Sequence, residues 1–354
     1  MSKLKVAIIG CGRISVVYDT AFRKLSNMVN VVYAVDKDEE KAKSFAIRFG
    51  CKYATDFEQI AGEDIDVLHI CLPHYLHEPM AIRAMQAGMN VLTEKPVAMT
   101  LQEADRMKHV QKETGKKLGV IFQTRYTLGV QRLRKMIEEG VFGKIISARS
   151  MLTWSRTEEY YKSSDWKGTW YGEGGGTLID QAIHSMDRVR YLVGSDVSWI
   201  EGNVSNYTHP YVNVEDTATA VLGFKNGCIY TLYATNTYSI DAPIDIEIVG
   251  EKGICGLKQD LGYYKLNGEY VEIRDKDAEV PVGPNYWGSS HHIQIREFYE
   301  EVMQDKDITI NVDEGRKTLE MVKGIYLSSA KNSRITLPFE DVTYDNLNAI
   351  TKID

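Results

Sequence analysis

Paired cysteines are missing from this 354-residue chain. Its five cysteines, at 11, 51, 71, 228 and 255, include no Cys-x-x-Cys pair, and their number is odd. That argues against a disulfide scaffold and for a reducing compartment. A zinc site needs a ligand spacing that these residues do not offer, so no metal is expected. No apolar run approaches the roughly 18 residues of a membrane span, so no membrane is expected either. The N-terminus has no apolar signal core and runs directly into a strand, which makes a cytoplasmic location the expectation. Dense Lys/Arg clusters are lacking too, and the formal net charge is -7. A mild acidic excess repels a nucleic acid backbone, so no nucleic acid partner is expected.

What remains is ordinary globular material, 44% hydrophobic and 26% charged. The length exceeds one typical domain, so two are expected. Near-continuous apolar strands at 4–9, 30–35, 66–71, 90–93 and 117–122 alternate with helices at about 13–26, 38–49, 77–87 and 101–114. This predicts a parallel sheet covered on both faces. After about residue 125 the period changes to two, with strands at 144–154, 197–206, 214–223, 227–236 and 243–249. Lys225-Asn226-Gly227 and Leu266-Asn267-Gly268 read as hairpin turns. Helices are expected near 128–139, 178–193, 291–303 and 313–330. Residues 155–173 and 275–290 read as polar and aromatic loops. The fold class is therefore α/β: an N-terminal doubly wound, Rossmann-type domain over 1–124, then an α+β domain over 125–354 with a large, mostly antiparallel sheet.

The first turn reads Gly10-x-Gly12-x-x-Ser15. Gly10 permits a tight turn, and Gly12 lets the backbone approach a pyrophosphate at a helix N-terminus. Ser15 stands where Gly or Ala is usual, but it is small enough for close helix–strand packing. Arg13 and Ile14 in this turn join the cofactor-binding candidates. Asp36 ends the next strand 24 residues after Gly12. A carboxylate there accepts both ribose hydroxyls of NAD and repels a 2′-phosphate. Lys37 beside it leaves NADP open, so the cofactor expectation is NAD, with NADP allowed.

Several strings taken together resemble the glucose–fructose oxidoreductase / inositol dehydrogenase / rhizopine catabolism (Gfo/Idh/MocA) family over most of the chain. They are Glu94-Lys95-Pro96 at the end of the fourth strand, Pro73-His74-Tyr75-Leu76-His77, the run from Gly174 through Asp180 and His184 to Asp187, Val214-Glu215-Asp216-Thr217-Ala218, and His291-x-x-Gln294-Ile295-x-x-Phe298. His74 departs from the family pattern, where Asn often follows the Pro. The resemblance implies hydride transfer between NAD or NADP and a sugar, polyol or nucleotide sugar. It also implies that the first domain is a Rossmann dinucleotide-binding domain and that the C-terminal sheet is an open sheet through which homodimers or homotetramers are built.

The resemblance also implies roles for particular residues. Oxidising a secondary alcohol needs a hydride acceptor and a base for the hydroxyl proton. Asp180 and His184, four apart, share one helical face, and Asp187 lies on that side. His184 is the implied base, Asp180 binds a substrate hydroxyl, and Lys95 stabilises charge on the reacting oxygen. Glu94 anchors the lysine, and Pro96 sets the turn. Pro73, His74 and His77 join the cofactor loop. Substrate-binding candidates beyond Lys95, Asp180 and His184 are Arg125, Tyr126, Trp154 and Trp166. Trp170 and Tyr171 offer further apolar faces for a sugar ring, and each aromatic has a core or lid role as its plain alternative. His209, His291 and His292 are weaker candidates. Two other classes stay open: a glycosidase that keeps NAD bound through an oxidation–elimination cycle, and a non-catalytic nucleotide or sugar sensor.

Overall fold

The computed structural model describes residues 2–275, 283–284 and 287–341. They divide into two compact units, 1–123 with 279–316 and 124–278 with 317–354. The expectation of a single crossing near 124 meets a chain that comes back to the first unit before its final helix. Most of the expected 275–290 loop lies outside the described residues.

The first unit carries strands β1 (Leu4–Ile9), β2 (Val29–Val35), β3 (Lys52–Ala54), β4 (Val67–Ile70), β5 (Asn90–Thr93) and β6 (Leu118–Val120), with helices α1 (Ser15–Lys24), α2 (Glu39–Phe49), α3 (His77–Gln86) and α4 (Leu101–Thr114). The strands lie in the order β3-β2-β1-β4-β5-β6 and pair in parallel. Right-handed crossovers on either side of β1 generate this order and open a crevice where it reverses, at the carboxyl ends of β1 and β4. Strand β1 is buried from Val6 to Ile9, as a doubly covered parallel strand requires. Local chemistry fixes the helix ends. Asp38 caps α2, Gly50 closes it at φ 63°, and Thr100 with Glu103 forms a capping box on α4. Strand β3 is short and largely exposed, without the apolar run that made the other strands legible.

The second unit opens with α5 (Leu128–Glu138) and β7 (Ile145–Thr153), followed by the short helix α6 (Glu158–Lys162) inside the expected 155–173 loop. The expected helix 178–193 is two pieces, a π-helical turn over Thr177–Ala182 and then α7 (Ile183–Val193). Strands β8 (Val197–Ser205), β9 (Thr217–Phe224), β10 (Ile229–Thr235), β11 (Asp245–Gly250), β12 (Gly253–Lys258), β13 (Leu261–Leu266) and β14 (Glu269–Ile273) follow. Helix α8 (His291–Met303) belongs to the first unit, α9 (Val312–Lys331) crosses the division at 316, and β15 (Ile335–Thr336) ends the second sheet. Among the described residues that sheet runs β14-β13-β12-β11-β7-β10-β9-β8-β15, antiparallel except for β7 with β10. Strands β9 and β10, and β11 through β14, follow one another by short hairpin turns, which force antiparallel neighbours.

Helix α8 packs in the first unit because its apolar stripe and one amide belong there. Ile295, Phe298 and Tyr299 join the core that contains Val6, Ile8 and Phe22. The Gln294 side chain accepts from Phe122 N at 2.9 Å and donates to Val120 O at 2.7 Å, capping the end of β6. The His-x-x-Gln-Ile-x-x-Phe string is thus a packing signature of the first unit.

Candidate active site

In the first unit, the turn after β1 is built for close approach. Gly10 has φ 95°, and a Cβ on it would sit 2.4 Å from the Cys71 carbonyl oxygen, so only glycine fits. A Cβ on Gly12 would meet nothing within 4 Å, so the backbone there faces open space. Ser15 donates its hydroxyl to Gly12 O at 2.7 Å, so the serine closes the turn. No side chain caps α1, and its first turn holds no acidic residue. Asp36 receives Cys11 N at 2.8 Å and Asp38 N at 2.9 Å, one on each carboxylate oxygen. These bonds fix the carboxylate beside the glycine turn. Lys37 is exposed, Ile14 is half-buried, and the exposed Arg13 guanidinium lies 5.3 Å from the Trp287 ring centre.

At the end of β5, Lys95 is half-buried between two buried neighbours, and the Lys95–Pro96 peptide is cis. Tyr18 donates its hydroxyl to Glu94 at 2.9 Å. Burial pushes the Glu94 carboxyl up to about 7. His77 is fully buried, with Nδ1 2.7 Å from Pro96 O and Nε2 2.9 Å from Leu72 O. Burial lowers its pKa, and the two carbonyl contacts oppose that. His74 is buried with its ring 5.7 Å from that of His77, and Pro73 before it is half-buried.

In the second unit, the glycine-rich turn delivers Asp180 within the π-helical segment and His184 in the first turn of α7. Glu215 organises it. Its carboxylate accepts Gly176 N and Leu178 N at 2.9 Å each, and Tyr326 Oη–H at 2.8 Å. A Cβ on Gly176 would fall 2.0 Å from Glu215 O, which explains the glycine. Burial pushes the Glu215 carboxyl up to about 7.

Asp180 Oδ2 accepts from Tyr160 Oη at 2.8 Å, Lys167 Nζ at 3.1 Å and Gln181 Nε2 at 2.6 Å. Lys167 Nζ also donates to Tyr160 Oη at 2.6 Å and lies 3.7 Å from Glu173. Burial works to lower the Lys167 pKa, but Asp180, Tyr160 and Glu173 outweigh it and raise it above the ordinary value. The sequence reading missed Tyr160 and Lys167. The available signal was a lysine set between Trp166 and Gly168 inside an aromatic loop. Asp187, expected on the His184 side, is fully buried and holds Arg125 bidentately at 2.7 and 2.6 Å, with Thr318 at 2.8 Å.

The other candidates scatter. Arg125 is buried with its guanidinium forked onto Asp187, and Tyr126 is half-buried beside it in the chain. Trp154 is buried, donates to Ala242 O at 3.0 Å and is covered by Arg156 at 4.8 Å from its ring centre. Trp166 is half-buried, with the Lys167 ammonium 4.7 Å from its ring centre. Trp170 packs edge-on against Tyr326, and Tyr171 is exposed. His209 bonds Asp216 at 2.8 Å and Arg156 O at 2.7 Å, so it ties a loop. His291 is buried in the first unit. His292, also in α8, lies 3.0 Å through Nδ1 from Ser289 O.

Residues 4–122 match the model of the oxidoreductase family with an NAD-binding Rossmann fold, Gfo/Idh/MocA, and residues 130–255 match the Gfo/Idh/MocA C-terminal domain. The chain belongs to the Gfo/Idh/MocA oxidoreductase family. It is 25% identical to D-glucoside 3-dehydrogenase of Escherichia coli K12, over 95% of this chain and 98% of that protein. It is 26% identical to levoglucosan dehydrogenase of Pseudarthrobacter phenanthrenivorans, over 96% of this chain and 99% of that protein. Its fold superposes on the WlbA dehydrogenase of Bordetella pertussis, solved with NADH and UDP-GlcNAcA, with a TM-score of 0.83, 26% identity and coverage of 96% of this chain and 100% of the other.

This family member is therefore an NAD(P)-dependent oxidoreductase. Its first unit fits the cofactor: bare backbone at Gly12, an uncapped α1 N-terminus for the pyrophosphate and a fixed carboxylate at Asp36. Among the described residues, no group of three or more His, Cys, Asp or Glu is placed to hold a metal ion. No described helix is long and apolar enough to cross a membrane.

The Arg125–Asp187 pair yields a prediction about stability. Replacing Arg125 by Ala strands a carboxylate with no exposure, and removing one partner of a buried pair costs about 3–5 kcal/mol. Urea unfolding of R125A measures this. A loss below about 1 kcal/mol would mean that Thr318 and Arg190, whose guanidinium lies 3.8 Å from the same carboxylate, suffice.

Proposed function

We propose that this enzyme oxidises a secondary hydroxyl of a sugar, a polyol or a nucleotide sugar, passing the hydride to NAD. The observation that carries the reading is near-full-length similarity to two sugar dehydrogenases, in a chain that carries Lys95, Asp180 and His184. Gly10, Gly12, Arg13, Ile14, Asp36, Lys37, Pro73, His74 and Glu94 form the cofactor side. The nicotinamide supplies the hydride acceptor.

The chain's own groups do the rest. An imidazole nitrogen of His184 takes the hydroxyl proton as the C–H bond breaks. The Lys95 ammonium donates to the same oxygen and stabilises the negative charge that develops on it. Asp180 accepts from a neighbouring substrate hydroxyl. Its other donors, Tyr160, Lys167 and Gln181, hold it in one orientation before substrate arrives. Five cysteines free of disulfides suit a reducing, cytoplasmic setting.

The assay is absorbance at 340 nm against a panel of glycosides, free hexoses, inositols and nucleotide sugars, with NAD and NADP separately. His184→Ala should lower kcat by about 10²- to 10⁴-fold and leave NADH affinity intact, the range typical of a lost general base. Unchanged kcat would remove the base assignment. NADH found bound to folded protein that is silent across the panel would favour the retained-cofactor glycosidase. Asp36→Ala should weaken NADH more than NADPH, read by protein-to-nicotinamide fluorescence transfer. Equal weakening would end the ribose role of Asp36.

The open face of the second sheet packs against a second copy of the chain. Met151, Val221 and Ile229 are large, exposed and apolar, and they lie on adjacent strands β7, β9 and β10. Exposed apolar groups clustered on a flat sheet mark an association surface. Sedimentation should find an oligomer that the double variant V221K/I229K converts to monomer. A monomeric wild type would sink this surface.

A further inference from the structure

We propose that Tyr18 and His77 are positioning residues that set Lys95 from its two sides. The proposal rests on the reading that Lys95 meets the reacting oxygen. Both neighbours of Lys95 are tied to a buried side chain, Glu94 through its carboxylate and Pro96 through its backbone carbonyl. On one flank, Glu94 receives the Tyr18 hydroxyl at 2.9 Å, and Glu94 N donates to Ile70 O at 3.0 Å. On the other, Pro96 O lies 2.7 Å from His77 Nδ1, while Nε2 of the same ring lies 2.9 Å from Leu72 O. Tyr18 and His77 have no solvent exposure, and Glu94 and Pro96 are buried. Water cannot replace a bond broken there, so the ties are costly to release.

The origin of each tie matters more than its strength. Tyr18 lies one turn into α1, the helix whose N-terminus follows Gly10 and Gly12. His77 is the first residue of α3, directly after the Pro73–Leu76 turn. The segment 94–96 is thereby tied to both chain segments assigned to the cofactor. Lys95 carries its ammonium at the end of a four-carbon stem, so a small rotation of its Cα swings Nζ through a larger arc. Fixing both neighbours is the economical way to aim such a group. Both ring nitrogens of His77 face backbone carbonyls. A neutral ring donates to one of them at a time, and a protonated ring to both. This assigns His77 to the backbone rather than to the cofactor itself.

The test reads Lys95 directly and needs no substrate. Full-length protein is reductively methylated with ¹³C-formaldehyde, and the Lys95 methyl signal is identified by its loss in Lys95→Arg. In Tyr18→Phe and His77→Phe this signal should move and broaden relative to wild type. Tyr299→Phe, which breaks an equally buried bond to His69 in the same unit, should leave it in place. Turnover on whichever substrate the panel yields should fall about 10- to 100-fold in Y18F and H77F, while the Kd for NADH stays within about twofold, as expected when only geometry is lost. If H77F fails to fold, H77Q keeps one donor and Y18F removes a single oxygen, so these two decide the matter. A Lys95 signal that coincides with wild type in folded Y18F and H77Q overturns the proposal. A signal that moves in both while Lys95→Met retains full turnover supports the positioning and overturns the catalytic reading of Lys95.

Discussion

The geometry of the second unit depends on one buried carboxylate. Glu215 has no exposure, and a carboxylate is tolerated there only because its oxygens are filled by two backbone N–H groups and a tyrosine hydroxyl. The two amides belong to the start of the turn that carries Asp180, and a helix N-terminus favours negative charge. The bonds thus satisfy the acid and fix the entry of the π-helical segment together. Glycine at 176 follows from the same contact, because any side chain there would collide with the Glu215 backbone. The glycine run and the Val-Glu-Asp string, some 40 residues apart, are two halves of one interaction.

The first unit solves a different problem. Its strands run parallel, so the residues that follow them share the carboxyl edge of the sheet, where the order reverses. Gly10, Asp36, Cys71 and Glu94 all stand at that edge. Tight backbone packing between the first turn and Cys71 leaves room for glycine alone. The neighbouring Tyr18–Glu94 bond sits in the core beneath the same crevice. Packing of the strand ends and the shape of the turn proposed for the cofactor are therefore set by the same few residues.

Much of this was legible from residues alone. Continuous apolar strands alternating with helices gave the first sheet, because burial on both faces erases alternation. Period-2 strands with Asn-Gly turns gave the second. Glu94-Lys95-Pro96 and the Gly174–Asp187 run gave the family. The partners of Asp180 were not legible, since Tyr160 and Lys167 sit in an irregular loop with no period. Nor was the commitment of Arg125 to Asp187, which spans 62 positions. Asp187 looked like a companion of His184 from helical spacing, but its carboxylate is taken up by Arg125 and Thr318 in the core.

By itself the sequence determined the two sheet types, the nucleotide turn and the residues worth suspecting, because local patterns encode strands, turns and caps. Only the tertiary structure decided which polar side chains are committed to the interior. Arg125 and Trp154 read as binding candidates, and it is the fold that buries both and gives each a partner in its own chain. Helix α8 read as part of the second domain until its apolar stripe was seen packed in the first. The physical reason is common to these cases. A hydrogen bond or a packed stripe is satisfied by whatever the fold brings near, and no local pattern in the chain records a partner 60 or 170 residues away.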